Sequence, residues 1–489
     1  MAFWNKTMAE NEKYETLDPE NWDDMRILAH QMVDDSIDYL KSAGERPVWQ
    51  RVPDSVARTF HAGIPEEPSA PSRVYREFQD HIFPYSLGCP HPRFWGWYMG
   101  NGTIMGALAD FMAATMNSNL GGGHHSAIMV EQQVINWMKD VIGFPEGASG
   151  LLVSGGSMAN IVGLTVARNS MADWDIRKEG IRSNRKLTIY ASTEAHSCNQ
   201  KGVEQLGLGS DNLRKIPVRD DYTMDLEQLQ AAIEADRQNG CQGICVIASS
   251  GTVNTGAIDD LNGIADICEK HQLWFHIDGA IGGIAMLSDQ VKPSLEGIER
   301  ADSIALDLHK WLHIPFEAAC VLVKEEAFHR ESFSLIPAYL EQDGGGMASG
   351  GHWYSEYGLQ LSRGFRALKV WMTMKEHGSR RLGRMISRNV EQAQYLGRLI
   401  ESSSDLELVA PIGLDIVCYR FNPGGMDSQS LNRVNRRILA ELQENGIAAP
   451  SFTTLHETYC IRVAIANHRS RYEDFDLLVN ETIRIGKSV

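Results

Sequence analysis

No stretch of the sequence approaches the ~20 consecutive apolar residues that a membrane-spanning helix requires. Residues 1–24 are polar and acidic and lack an apolar core, so no secretory signal is expected there. Positive charge is scarce: 46 Lys and Arg stand against 63 Asp and Glu, for a net charge of −17. That balance argues against nucleic acid and anionic membranes as partners. Cysteines are few and scattered. Only Cys241 and Cys245 are close, and no second pair completes a zinc site. A reduced, cytoplasmic protein with small buried thiols is expected. Repeats at solenoid periods are absent. What remains, 43% apolar and 22% charged, is a globular composition. Its 489 residues are too many for one ordinary core.

The order of the apolar runs predicts an α/β fold in three segments. Residues 1–88 read as helical with little core: Asp18, Pro19 and Glu20 start a stripe of Met25, Leu28, Met32, Ile37 and Leu40, and a proline-studded connector follows. Such a segment is expected to pack on another domain or on a second subunit. Residues 89–360 alternate strands (151–153, 187–191, 243–248, 274–277, 304–306) with helices, which predicts a mostly parallel sheet covered on both faces. Ligands of such sheets bind beyond the carboxyl ends of the strands. Residues 361–489 open with a long basic helix and continue as a smaller α+β domain.

Three irregular stretches stand out. Residues 89–99 crowd Phe94, Trp95, Trp97 and Tyr98 around a turn, either as a packed corner or as a pocket wall. Asn117 to His125 contains three consecutive glycines, a bare backbone that something can approach closely. His124 and His125 have no carboxylate or cysteine at ligand spacing, so no metal is expected. A third stretch, with Gly344, Gly345, Gly346, Gly350 and Gly351 between Tyr339 and Tyr354, is a candidate lid.

The chemistry gathers at strand ends. Ser154, Gly155, Gly156 and Ser157 sit between a strand and a helix start, where bare N–H groups, hydroxyls and the helix dipole suit a phosphate. The three-glycine spacing of a dinucleotide fingerprint is missing. Asp278 closes a buried strand and needs a cationic partner, which a protonated pyridine nitrogen provides. Lys310 follows the strand 304–306. Alone, it reads equally as a lysine snorkelling to the surface beside Trp311. With the other groups it reads as an amine desolvated enough to attack a carbonyl. His196 and Ala280 are placed to flank a ring, and Thr252 follows another strand end. A phosphate cradle, an aspartate for a pyridinium and such a lysine together describe pyridoxal phosphate.

The same residues resemble the group II pyridoxal-phosphate decarboxylases, the aromatic amino acid decarboxylase superfamily of fold type I. The resemblance runs through His91 to Phe94, Ser154 to Asn160, His196-Ser197, Gly251 to Gly256, Phe275 to Ala280, Asp307 to Trp311, Pro337 to Leu340, Arg363 to Arg366 and Ile461-Arg462. The bacterial tryptophan and phenylalanine decarboxylases are similar in wording. The resemblance implies a seven-stranded-type, mostly parallel sheet and an obligate homodimer with sites at its interface. The N-terminal helices would clasp the partner. It implies that Lys310 holds the cofactor, Asp278 pairs with the ring nitrogen and His196 stacks on the ring. Gly156, Ser157 and His309 would hold the phosphate, with Ser362 reaching in from the other subunit. Tyr339 would return the proton. Trp97 and Tyr98 are candidates for one substrate wall, Asn119 and His124 for a wall from the partner.

Three departures bear on the substrate. Gly100 stands near where animal relatives place a threonine against the substrate carboxylate. Residues 119–125 are polar where relatives are hydrophobic, and Ile281 stands where an aromatic residue is common. A larger or more polar amino acid is therefore admitted. The expected activity is decarboxylation of an L-amino acid, aromatic or related, to an amine. One alternative is an oxygen-consuming aldehyde synthase acting on an amino acid or a conjugate. Such relatives lose the loop tyrosine or the stacking histidine, and Tyr339 and His196 are both kept. The other is a silent cofactor-binding scaffold, which the intact Lys310, Asp278, His196 and Tyr339 disfavour.

Overall fold

Aliphatic runs bounded by Gly, Pro, Asn and Asp become strands, and the 3.6-residue apolar stripes between them become helices. The computed structural model describes residues 16–182, 186–335, 345–349 and 352–488. Its strands, in chain order, are β1 (Phe94–Trp95), β2 (Ser149–Val153), β3 (Leu187–Ser192), β4 (Leu213–Ile216), β5 (Gln242–Ser249), β6 (Trp274–Asp278), β7 (Ser303–Asp307), β8 (Ala319–Val323), β9 (Leu406–Leu408), β10 (Ile416–Phe421), β11 (Ala449–Leu455) and β12 (Thr458–Ala464).

Seven of these form one sheet in the order β2-β8-β7-β6-β5-β3-β4. Neighbours are parallel except at β8, which runs antiparallel to both β2 and β7. Every residue of β2, β6, β7 and β8 is buried. Strands covered on both faces carry continuous rather than alternating apolar runs, as these do.

Register decides where the chemistry collects. Val153 and Asp307 both lie opposite Ala319, one on each side of β8. The carboxyl ends of β2 and β7 thus flank one residue, and the turns that follow them are brought together. Asp278, at the end of β6, pairs with Ala305 of β7 and Ser249 of β5.

The second sheet has the order β1-β11-β12-β10-β9. β11 and β12 form a hairpin whose turn residues, His456 and Glu457, take positive φ of 45° and 67°. β1 joins parallel to β11, with Phe94 opposite Ala449, so the aromatic turn feeds the C-terminal sheet. The helix Arg366–Glu401 precedes β9 and is interrupted at Gly378, where φ is 69°.

The described part of Met1–Ala43 clusters with Val52–Ser86 as a separate unit. Its helix Trp22–Lys41 is capped by Asn21, whose side chain accepts from the N–H groups of Asp23 and Asp24, and none of its residues is buried. Tyr39 stacks on Phe83 at 4.2 Å. Tyr75 and Gln79 both donate to Asp35, at 2.7 and 2.8 Å. Among the described residues no helix is long and apolar enough to cross a membrane.

Candidate active site

One cavity of about 270 Å³ lies at the carboxyl edge of the large sheet. It brings together Gly156, Ser157, His196, Thr252, Asp278, Ala280, His309 and Lys310, which arrive from five different strand ends. Asp278 is buried. Its carboxylate accepts from Asn199 Nδ2 at 3.0 Å and from the Ala280 N–H at 3.3 Å. Neither donor is charged, so this buried anion still has a use for a cation.

Lys310 follows β7 through a tight turn. Its Nζ lies 3.0 Å from Asp307 and 5.9 Å from the centre of the Tyr98 ring. His309 is buried, with Nδ1 against the Ala318 carbonyl at 2.9 Å. Burial lowers its pKa, against the pull of Asp307. His196 begins the helix Ser197–Gln205, and its Nδ1 accepts from the Cys198 N–H at 3.2 Å. The residue is exposed, yet partial desolvation lowers its pKa, although Asp278 pulls the other way. The ring is thereby favoured as a neutral imidazole.

The phosphate cradle forms where β2 turns into the helix Gly156–Met171. The first helical N–H, at Gly156, donates to Asp307 Oδ1 at 2.5 Å. Ser157 and Gly156 line the cavity, and Ser154 lies half-buried just before them. Thr252 is buried, and its hydroxyl accepts from the Ala257 N–H at 3.1 Å.

The other expected residues that are described do not line this cavity. Trp97 is exposed and lines a second groove of about 280 Å³, with Phe452 and Tyr459. Tyr98 is buried with its hydroxyl on Asp415, at 2.8 and 3.0 Å. Asn119 Oδ1 accepts from the N–H groups of Gly121 and Arg363, at 3.0 and 2.9 Å. The His124 N–H donates to the Met347 carbonyl at 3.0 Å. Ser362 is exposed. Tyr339 lies outside the described residues, as do Gly344, Gly350 and Gly351 of the glycine-rich stretch.

The close approach expected at the three glycines comes from within the chain. A Cβ on Gly121 would sit 2.1 Å from the Leu361 carbonyl oxygen, and one on Gly122 would sit 2.1 Å from the Trp353 ring. Gly100 is constrained in the same way. A Cβ there would meet the carbonyl oxygens of Lys310 and His309, at 2.1 and 2.6 Å.

Several contributors have no role assigned to them from the sequence. Asn199 orients Asp278. His276, two residues before Asp278 on β6, meets Asn160 and Ser303, each at 2.8 Å, and burial pulls its pKa down to about 4. Strand alternation puts His276 and Asp278 on one face, the only signal that would have found it. Arg363 pairs with the fully buried Glu131 and donates to the carbonyls of Leu120 and Leu152, fixing the strand that enters the cradle.

The donor set fits pyridoxal phosphate. A helix N-terminus and Ser157 suit the phosphate, Asp278 suits the ring nitrogen, and Lys310 suits the aldehyde. A family model described as the pyridoxal-dependent decarboxylase conserved domain matches residues 53–422. An aromatic-L-amino-acid decarboxylase from Bacillus atrophaeus is 33% identical over 458 residues, covering 92% of this chain and 93% of its own. A phenylacetaldehyde synthase from Petunia hybrida is 26% identical, covering 95% of this chain and 94% of its own. The crystal structure of Oryza sativa TDC with PLP and tryptamine matches with a TM-score of 0.88 at 25% identity, over 96% of this chain and 99% of that one. A lysine, an aspartate and a helix N-terminus on one cavity, in a chain matched along most of its length, have one reading: the chain belongs to the pyridoxal-dependent decarboxylase family.

Proposed function

We propose that this chain removes carbon dioxide from an L-amino acid, aromatic or related, and releases the amine. The observation that carries the reading is the convergence of Lys310, the buried Asp278 and the Gly156 helix terminus on one cavity. Bound pyridoxal phosphate supplies an electron sink for the bonding pair left when carbon dioxide departs. Lys310 would hold the cofactor through its amine. Asp278, oriented by Asn199, keeps a proton on the ring nitrogen. His196, as a neutral imidazole, and Ala280 would flank the ring. Gly156, Ser157 and His309 hold the phosphate, with Ser154 and Thr252 beside them. Tyr339 returns the proton to the substrate carbon, a role that rests on the family resemblance.

The substrate wall in this reading combines Trp97 and Tyr98 of one copy with Asn119 and His124 of a second, and Ser362 reaches the phosphate from that second copy. Support comes from the helix Ile104–Met116, which exposes Phe111, Met112 and Met116. An apolar face of this kind suits a second copy of the chain. A clasping segment over 1–88, a cofactor domain over 89–360 and a small domain over 361–489 complete the arrangement. Eight free cysteines support a cytoplasmic setting.

The test is a panel of amino acids given to the purified, cofactor-loaded protein, with carbon dioxide, dissolved oxygen and organic product followed together. Carbon dioxide and an amine without oxygen uptake are expected, from a species with the mass of two chains. Oxygen uptake with an aldehyde would assign the aldehyde synthase reaction instead. Cofactor absorbance without turnover of any substrate would assign the silent scaffold.

A further inference from the structure

We infer that Asp307 is an internal anion that holds the phosphate anchor of the cofactor-free chain and must give it up when the cofactor's phosphate arrives. The inference rests on reading the cavity as a pyridoxal phosphate site. Three groups assigned there to the cofactor, Gly156, His309 and Lys310, already face this one carboxylate. Oδ1 accepts from the Gly156 N–H at 2.5 Å, the N–H that opens the phosphate cradle. Oδ2 lies 3.0 Å from Lys310 Nζ. His309 Nε2 lies 3.7 Å from Oδ1. The side chain is only 5% exposed, so water cannot replace these partners.

The placement follows from register. Asp307 ends β7 opposite Ala319, and Val153 ends β2 opposite the same residue, which aims the carboxylate at the start of the helix after β2. There is no slack. A Cβ added to Gly156 would sit 2.7 Å from Asp307 Oδ2. An anion at a helix N-terminus is favourable, and a carboxylate beside an ammonium more so. Asp307 therefore keeps the cradle ordered and Lys310 in place before a cofactor binds. Two anions on one terminus repel, so a dianion entering the cradle displaces Asp307 from the Gly156 N–H. The charged and titratable groups that line the cavity with it are Lys310, His309, His196, Cys198 and Asp278, and among them only Asp278 is a second carboxylate.

Asp307→Asn tests this, because it keeps the shape and removes the charge. Sulfate is the probe, a dianion that does not titrate near neutral pH. Its dissociation constant is measured by calorimetry on the full-length chain stripped of cofactor. Asp307→Asn is expected to bind sulfate about tenfold more tightly than the wild type, or better, since a repelling unit charge at hydrogen-bond range is gone. A purely structural role predicts no gain of affinity. Unchanged or weaker binding in a variant that keeps the wild-type thermal midpoint would overturn the inference. If Asp307→Asn does not fold, Lys310→Met is compared with Lys310→Met/Asp307→Asn. The double variant is then expected to bind sulfate about tenfold more tightly, and equality overturns the inference. Pyridoxal phosphate is added to the wild type in parallel. If no visible absorbance dependent on Lys310 develops, the functional reading and this inference both fall. If it develops while sulfate affinity does not respond to residue 307, only the inference falls.

Discussion

Asp278 and Lys310 differ in how each is held, and the difference sets what their loss does. Lys310 has a charged partner in Asp307, whereas Asp278 has two uncharged donors. A carboxylate so placed has its charge left for a ligand. Asp278→Asn removes that charge while keeping the side chain's shape and the Asn199 contact. Turnover is expected to fall by about a hundredfold or more, the usual scale for deleting a preorganised electrostatic group. Steady-state rates measure it, and a fall of less than fivefold would show that Asp278 does not serve the ring nitrogen. The sequence exposes both residues because a charged side chain at the end of a buried strand is too costly to keep there without a partner. Asn199 is silent in the sequence, where it is one polar residue in a short helix. Its role appears only once that helix is placed beside β6. The carboxylate of Asp307 is visible in the sequence, but its contact with Gly156 depends on how β2 and β7 flank β8.

Turns and strands were unequally legible. Five strands of the large sheet declare themselves as apolar runs between helical stripes. β4 does not, because Arg214 and Lys215 occupy half of an edge strand. β8 does not, because Ala319–Val323 follows the Lys310 turn after a proline and reads as an ordinary apolar patch. Its antiparallel direction is a property of the pairing and not of its residues. The glycine turns were visible as turns, but what fills the space above them was not. Gly100 shows the consequence. In relatives the neighbourhood carries a threonine, yet here the Lys310 carbonyl occupies the position of any Cβ. Gly100→Thr is therefore not expected to restore a carboxylate contact. The turn must move or Lys310 must, at a cost of about 1–3 kcal/mol of overpacking. A lower thermal midpoint and weaker cofactor retention are expected together. A variant with unchanged midpoint and faster turnover would show that the turn yields.

Buried titratable groups set how the whole molecule responds to acid. Burial lowers the pKa of His91, His329 and His468 to about 4, and His276 goes the same way. His313, buried with both ring nitrogens unpartnered among the described residues, is likewise driven well below its ordinary value. In the unfolded chain these imidazoles titrate near 6.5. Between the two values only the unfolded chain takes up protons. The stability they contribute is whole above about pH 6.5 and is lost as pH falls toward 4. Asp415 and Asp259 act in the opposite sense. Burial raises them to about 7 and about 6, so the folded chain binds protons that the unfolded one does not, and acid favours folding through them. With His196, His271, His309 and His352 also lowered, and Glu131 and Asp302 also raised, nine imidazoles shifted one way outnumber four carboxyls shifted the other. The thermal midpoint is therefore expected to fall steadily from pH 7 to pH 4.5, followed by calorimetry at constant ionic strength. Asp415 gives the internal control: Asp415→Asn removes an opposing contribution, so its midpoint is expected to fall more steeply with acid than that of the wild type. A wild-type midpoint that is flat or rises over this range would mean that the histidines are not held neutral by their surroundings.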